Sequence, residues 1–89
     1  MDDLEKYRNV LTDLIQKQVA MLGPNVALAQ ARKVAGLSVD DKGVVTAING
    51  NPQEILANVS KQFMALSGQI AQMTLESVVA KYPDLKIGQ

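Results

Sequence analysis

The run Asn51-Pro52-Gln53-Glu54-Ile55-Leu56-Ala57-Asn58-Val59-Ser60-Lys61-Gln62-Phe63-Met64-Ala65-Leu66-Ser67-Gly68-Gln69-Ile70-Ala71-Gln72-Met73 decides the architecture. It opens as helices open, with an Asn whose side chain caps free N–H groups, Pro at the first helical position and Glu at the third. Leu56, Val59, Phe63, Leu66, Ile70 and Met73 then recur at alternating intervals of three and four, the period of a bundle or coiled-coil seam. Ile55, Met64 and Val78 add a second apolar edge. Tyr82-Pro83 ends the run, because the residue before proline is pushed out of the helical region. The pattern predicts one helix over residues 52–81, roughly 45 Å long.

Such a helix outruns a chain of 89 residues, whose compact radius of gyration is about 12 Å. Two courses are open. A second copy related by a two-fold axis covers the seam, or the helix bends near Ser67-Gly68 and folds back. Glycine in mid-helix costs about 1 kcal/mol relative to alanine, so Gly68 marks either a kink or a close helix approach. Self-association is the expectation adopted.

Upstream, residues 2–22 read as an amphipathic helix. Asp2 and Asp3 suit its positive end, and Leu4, Tyr7, Leu11, Leu14 and Leu22 form a stripe widened by Val10, Ile15 and Val19. Gln18 interrupts that stripe, and Asp13 and Lys17 stand four apart in the favourable order for an ion pair. Gly23-Pro24 closes this helix and starts a short one over 24–35, with Ala27, Ala31 and Ala35 as a small-residue ridge. One kinked helix over both segments is the alternative.

Residues 37–49 change period. Leu37-Ser38-Val39 and Val44-Val45-Thr46-Ala47-Ile48 are rich in β-branched residues and flank Asp40-Asp41-Lys42-Gly43, which suits a type I turn followed by a left-handed glycine. A lone hairpin is marginal in water, so this one is expected to lie on a helix or pair with another copy. Val39 to Asn49 resembles the opening hairpin of PAS sensor domains, where an acidic turn with glycine joins two strands and an Asn precedes a helix. The resemblance covers about an eighth of the chain. Residues 52–89 hold no counterpart to the later PAS strands, so no PAS ligand residue is carried across.

Composition narrows the function classes. Tyr7, Phe63 and Tyr82 are the only aromatic residues, against ten alanines and four methionines. Aromatics bury the most area per residue, so the core must come from aliphatic side chains and close backbone approach, which favours helix on helix. Nine basic residues balance nine acidic ones. Arg32 and Lys33 alone form an unopposed basic pair, far short of the basic stripe of a nucleic-acid binder.

Cysteine and histidine are absent, so disulfides, thiolate or imidazole metal sites and the commonest catalytic groups are missing together. Ser38, Ser60, Ser67 and Ser77 sit in no nucleophile motif. Asp40 and Asp41 are adjacent acids, but in a turn, where aspartate is favoured for its own hydrogen bonding. They also lack the alternating oxygen ligands and distant glutamate of an EF-hand. Asn58-Val59-Ser60 matches the glycosylation sequon but falls within a predicted helix. Met21, Met64 and Met73 are read as core filling rather than the lining of a ligand cavity. No apolar run is long enough to span a membrane, and the acidic start is unlike a signal peptide. A cytoplasmic location is therefore expected; a free-standing protein and a domain of a longer one both remain open, with the initial Met and acidic start favouring the former.

The sequence thus predicts one domain over residues 1–89, α+β but mainly α. The order is helix (2–22), short helix (24–35), β-hairpin (37–49), long helix (52–81) and tail (82–89). Its expected form is a dimeric helical bundle on which the hairpins pack or pair. The expected function is a homo-oligomeric protein-interaction or regulatory module, without catalytic activity, cofactor, metal or membrane contact. Leu56, Val59, Phe63, Leu66, Ile70 and Met73 would carry self-association, with another protein as a further partner. The alternatives are a small-molecule sensor with an apolar pocket between long helix and hairpin, and a nucleic-acid-binding dimer making anion contacts through Arg32, Lys33 and Lys42.

Overall fold

One face of the first helix organises everything that follows it. In the computed structural model, which describes residues 2–82 and the side chains of residues 4–66, 68, 69 and 72–82, helix α1 spans Asp2–Leu22. Val10, Leu11, Leu14 and Ile15 are buried completely or nearly so. Leu4, expected on the same stripe, is exposed at the helix start. Helix α2 (Pro24–Arg32), strands β1 (Leu37–Val39) and β2 (Val45–Ile48), and helices α3 (Pro52–Ser67) and α4 (Gln69–Val79) follow. Both the mainly helical α+β class and the element order are those expected.

Gly23 separates α1 from α2: its N–H closes the first helix on the Val19 carbonyl at 2.9 Å, and Pro24 begins the second. Ala27 and Ala31 are fully buried, so the small-residue ridge does bring α2 against its neighbours. The ridge stops there. The helix ends at Arg32, turns follow over residues 33–36, and Ala35 is exposed.

The hairpin is antiparallel, with Leu37 opposite Ile48 and Val39 opposite Val45. Its register slips between Ser38 and Val39, an irregularity that adds local twist. The turn has the expected form: the Gly43 N–H donates to the Asp40 carbonyl at 3.1 Å, and Gly43 has a φ of 86°. Gly43 also lies against α1. A side chain there would meet Gln16 and Ile15 at 3.3 and 3.4 Å, so glycine allows both the turn and the approach. The Val45 N–H donates to the Thr12 hydroxyl at 3.0 Å, and the Gln16 amide donates to the Lys42 carbonyl at 3.3 Å. Of the two expected settings, this hairpin lies on a helix of its own chain.

Helix α3 starts as its sequence demands, the Asn51 carboxamide oxygen accepting from the N–H of Gln53 at 2.8 Å and of Glu54 at 3.3 Å. Leu56, Val59 and Phe63 are fully buried. Burial of side chains this size contributes about 1.5–3 kcal/mol each. The single helix expected over 52–81 is divided at Gly68, whose φ of 58° and ψ of −120° no helix contains. Gly68 caps α3 by donating to the Met64 carbonyl at 2.8 Å, and its own carbonyl accepts from the Gln72 N–H at 3.2 Å. The chain thus takes the bending course, and the longest extent of the molecule is 32 Å.

Beyond this elbow α4 packs on α1 and on α3, and Val78 is fully buried. The Tyr82 hydroxyl donates to Asp13 at 3.3 Å, and the Lys81 ammonium stands 3.9 Å from the same carboxylate. Burial first, then the Asp13 charge, holds the Tyr82 phenol above its ordinary pKa. Asp13 therefore pairs with the residues that follow α4 rather than with Lys17, as the helical spacing had suggested. Beyond Tyr82, the tail expected over residues 82–89 falls outside the described residues.

A side chain at Gly68 meets no neighbour within 4 Å, so substitution is opposed by the backbone conformation alone. Gly68→Ala is expected to destabilise the fold by about 1–3 kcal/mol, read from the urea midpoint. An unchanged midpoint would show that the elbow does not depend on a left-handed residue.

Candidate functional site

The residues expected to carry self-association do not share one surface. Leu56, Val59 and Phe63 are enclosed in the chain's own core, whereas Leu66 is 46% and Met73 60% exposed. The side chain of Ile70 lies outside the described ones. For Met73 the elbow explains the division, since the seam is broken between α3 and α4, whereas Leu66 is exposed in the last turn of α3 itself.

The candidate anion contacts are also dispersed. The Arg32 guanidinium donates to the Asp41 carboxylate at 3.2 Å and to the Val39 carbonyl at 3.3 Å, tying the end of α2 to the hairpin. Its charge, unopposed in the sequence, is opposed in space. Lys33 and Lys42 are both exposed.

Asp40 and Asp41 have separate structural tasks. One Asp40 oxygen accepts from the N–H groups of Lys42 and Val44, each at 2.9 Å, and so holds the turn, while Asp41 pairs with Arg32. The Val44 N–H chiefly, with the N–H and charge of Lys42, outweighs desolvation and keeps the Asp40 carboxyl below its ordinary value of 3.8. Among the described residues no three of His, Cys, Asp and Glu lie close enough to hold a metal ion, and no helix is long and apolar enough to cross a membrane.

Two grooves lie along α4, with Met73 on the ridge between them. The larger, about 490 Å³, fills the crook of the elbow and is bordered by Met64, Gly68, Gln72 and Glu76. The smaller, about 300 Å³, is bordered by Thr74 and Ser77 of α4 and Lys17 of α1. Met21, one turn beyond Lys17 on the same side of α1, is 46% exposed. Met21 and Met73, read from the sequence as core filling, are on the surface. Lys17 was read only as a helix-surface partner for Asp13, and Glu76 was not singled out. Only their helical positions bear on this face, and those became readable once the elbow had placed α4 beside α1.

Gln18 is the one conspicuous polar side chain inside. It is fully buried at the interruption of the α1 stripe, and neither its amide nitrogen nor its oxygen has a hydrogen-bond partner among the described residues. Ser60, also buried, returns its hydroxyl to the Leu56 carbonyl one turn back at 2.8 Å.

No family model, curated protein or solved structure matches this chain.

Two outcomes follow from these side chains. Gln18→Leu is expected to raise stability by about 1–3 kcal/mol, because a buried amide without partners costs that much. A fall in the urea midpoint would show that Gln18 is paired. For Asp40 the folded-state pKa is depressed, so its contribution is present above the ordinary value near 3.8 and lost as pH falls through the folded value. In urea unfolding from pH 7 down to pH 2, the gap between wild type and Asp40→Asn is expected to close below about pH 4. A gap independent of pH would remove the charge from the account.

Proposed function

We propose that this chain is a small homo-oligomeric protein-interaction module, with no catalytic activity of its own. The observation that supports the reading is the exposed apolar ridge of the α4 face, where Met73 stands 60% exposed between two grooves. Methionine is flexible and polarizable and is over-used at surfaces that receive partners. Three of the residues considered for other chemistry have structural occupations: Asp40 holds the turn, and Asp41 pairs with Arg32. A formal charge of zero offers little repulsion between copies. Self-association on this reading uses a surface beside a completed core, rather than the straight seam of an overlong helix.

Light scattering over a concentration series is the test. A mass rising to twice 9.6 kDa is expected. A mass that stays at 9.6 kDa up to millimolar concentration would overturn the self-association reading.

A further inference from the structure

We propose that a second copy of this chain docks on the α1–α4 face about a two-fold axis beside Met73, each Glu76 pairing with the partner's Lys17. The inference rests on the self-association reading and adds to it the surface and the symmetry.

Three observations lead to it. Met73, at 60% exposure, separates a groove with an acidic border from one with a basic border, Glu76 on one flank and Lys17 on the other. Among the described residues neither charge belongs to an ion pair. Asp13, which helical spacing offers to Lys17, is engaged by Lys81 and Tyr82, and the Glu76 carboxylate accepts from the Gln72 amide at 3.3 Å. Finally, the larger groove is open at its Gly68 edge, where nothing stands within 4 Å of the position a side chain would take.

Flanks of opposite sign decide who the occupant is. A strongly acidic or basic partner would be attracted to one flank and repelled by the other. A second copy turned through 180° about the ridge presents its flanks in reverse order, so acid meets base on both sides at once. In an isologous interface, if residue i contacts j then j contacts i, and one Glu76–Lys17 match is therefore made twice. The ridge itself, Met73 against its copy, supplies apolar contact at the axis from side chains that adapt to one another.

Charge reversal tests this on the full chain, with circular dichroism to verify the fold and sedimentation or light scattering to measure the dimer dissociation constant. Lys17→Glu and Glu76→Lys each place two like-charge contacts in the interface, and each is expected to weaken the dimer roughly tenfold. The double variant Lys17→Glu/Glu76→Lys is expected to recover most of that loss. Met73→Glu sets two carboxylates at the axis and is expected to leave a folded monomer. If the wild type dimerises but ignores all three single substitutions, this surface is wrong while self-association stands. If both charge reversals weaken the dimer and the double variant does not recover, the two-fold pairing is wrong. A wild type that is monomeric throughout overturns both the surface and the reading beneath it.

Discussion

The backbone at Gly68 is the constraint on which the rest depends. With φ at 58° and ψ at −120°, it occupies a region that side chains with a Cβ avoid. That single residue turns a run of about 28 helical positions into two helices. α4 can then lie on α1, Val78 enters the core, and the chain ends its described course with Tyr82 and Lys81 against Asp13. Without the elbow, α3 would extend past its neighbours and leave its distal apolar positions in water. With it, a chain that has three aromatic residues encloses Phe63, Leu56 and Val59 completely.

α1 receives what the elbow delivers. Its buried face meets α2, α3 and α4, and the hairpin is held at its margin by hydrogen bonds as well as by packing. This matters for a sheet of two short strands, which has too little ladder to stand alone. Thr12 supplies an acceptor for the Val45 N–H, and glycine at position 43 lets the turn come within contact of Ile15. Arg32 adds a second tether from the opposite side. The hairpin is therefore stabilised through the helices around it, and its acidic turn is fully occupied in that role.

Most of this fold was legible because local rules and tertiary contacts agree. The cap at Asn51, the break at Gly23-Pro24 and the turn at Asp40–Gly43 each have a side-chain or backbone cause that acts within a few residues. The elbow was legible only as an alternative. The apolar period continues through Ser67-Gly68, and a period reports which face is apolar without reporting whether the axis is straight. Ala35 and Leu4 were misplaced for a similar reason, since the end of a helix and the edge of a core depend on what packs there. Periodicity also could not say that Gln18 lies inside, because an amide within an apolar stripe costs stability and is read as an interruption.

The surface proposed as a docking face was harder still to see, and the cause is physical. Apolar residues on a helix are assigned to the core by default, since burial is their commonest state. Met73 continued the seam to which Phe63 belongs, and nothing in its spacing separated the two. What separates them is the change of axis between them: Phe63 faces inward from α3, while Met73 stands on the outer ridge of α4. The same rotation pairs Asp13 with Lys81 and leaves Lys17 beside Met73, so a helix-surface ion pair expected from sequence gives way to an unmatched charge. A core residue lost to the surface and a charge released from its neighbour thus have one origin, and together they give the α4 face an apolar ridge with opposite charges on its two sides. On the proposed reading, such a face complements its own copy when turned through half a revolution, whereas a partner of single charge would match only one of its two sides.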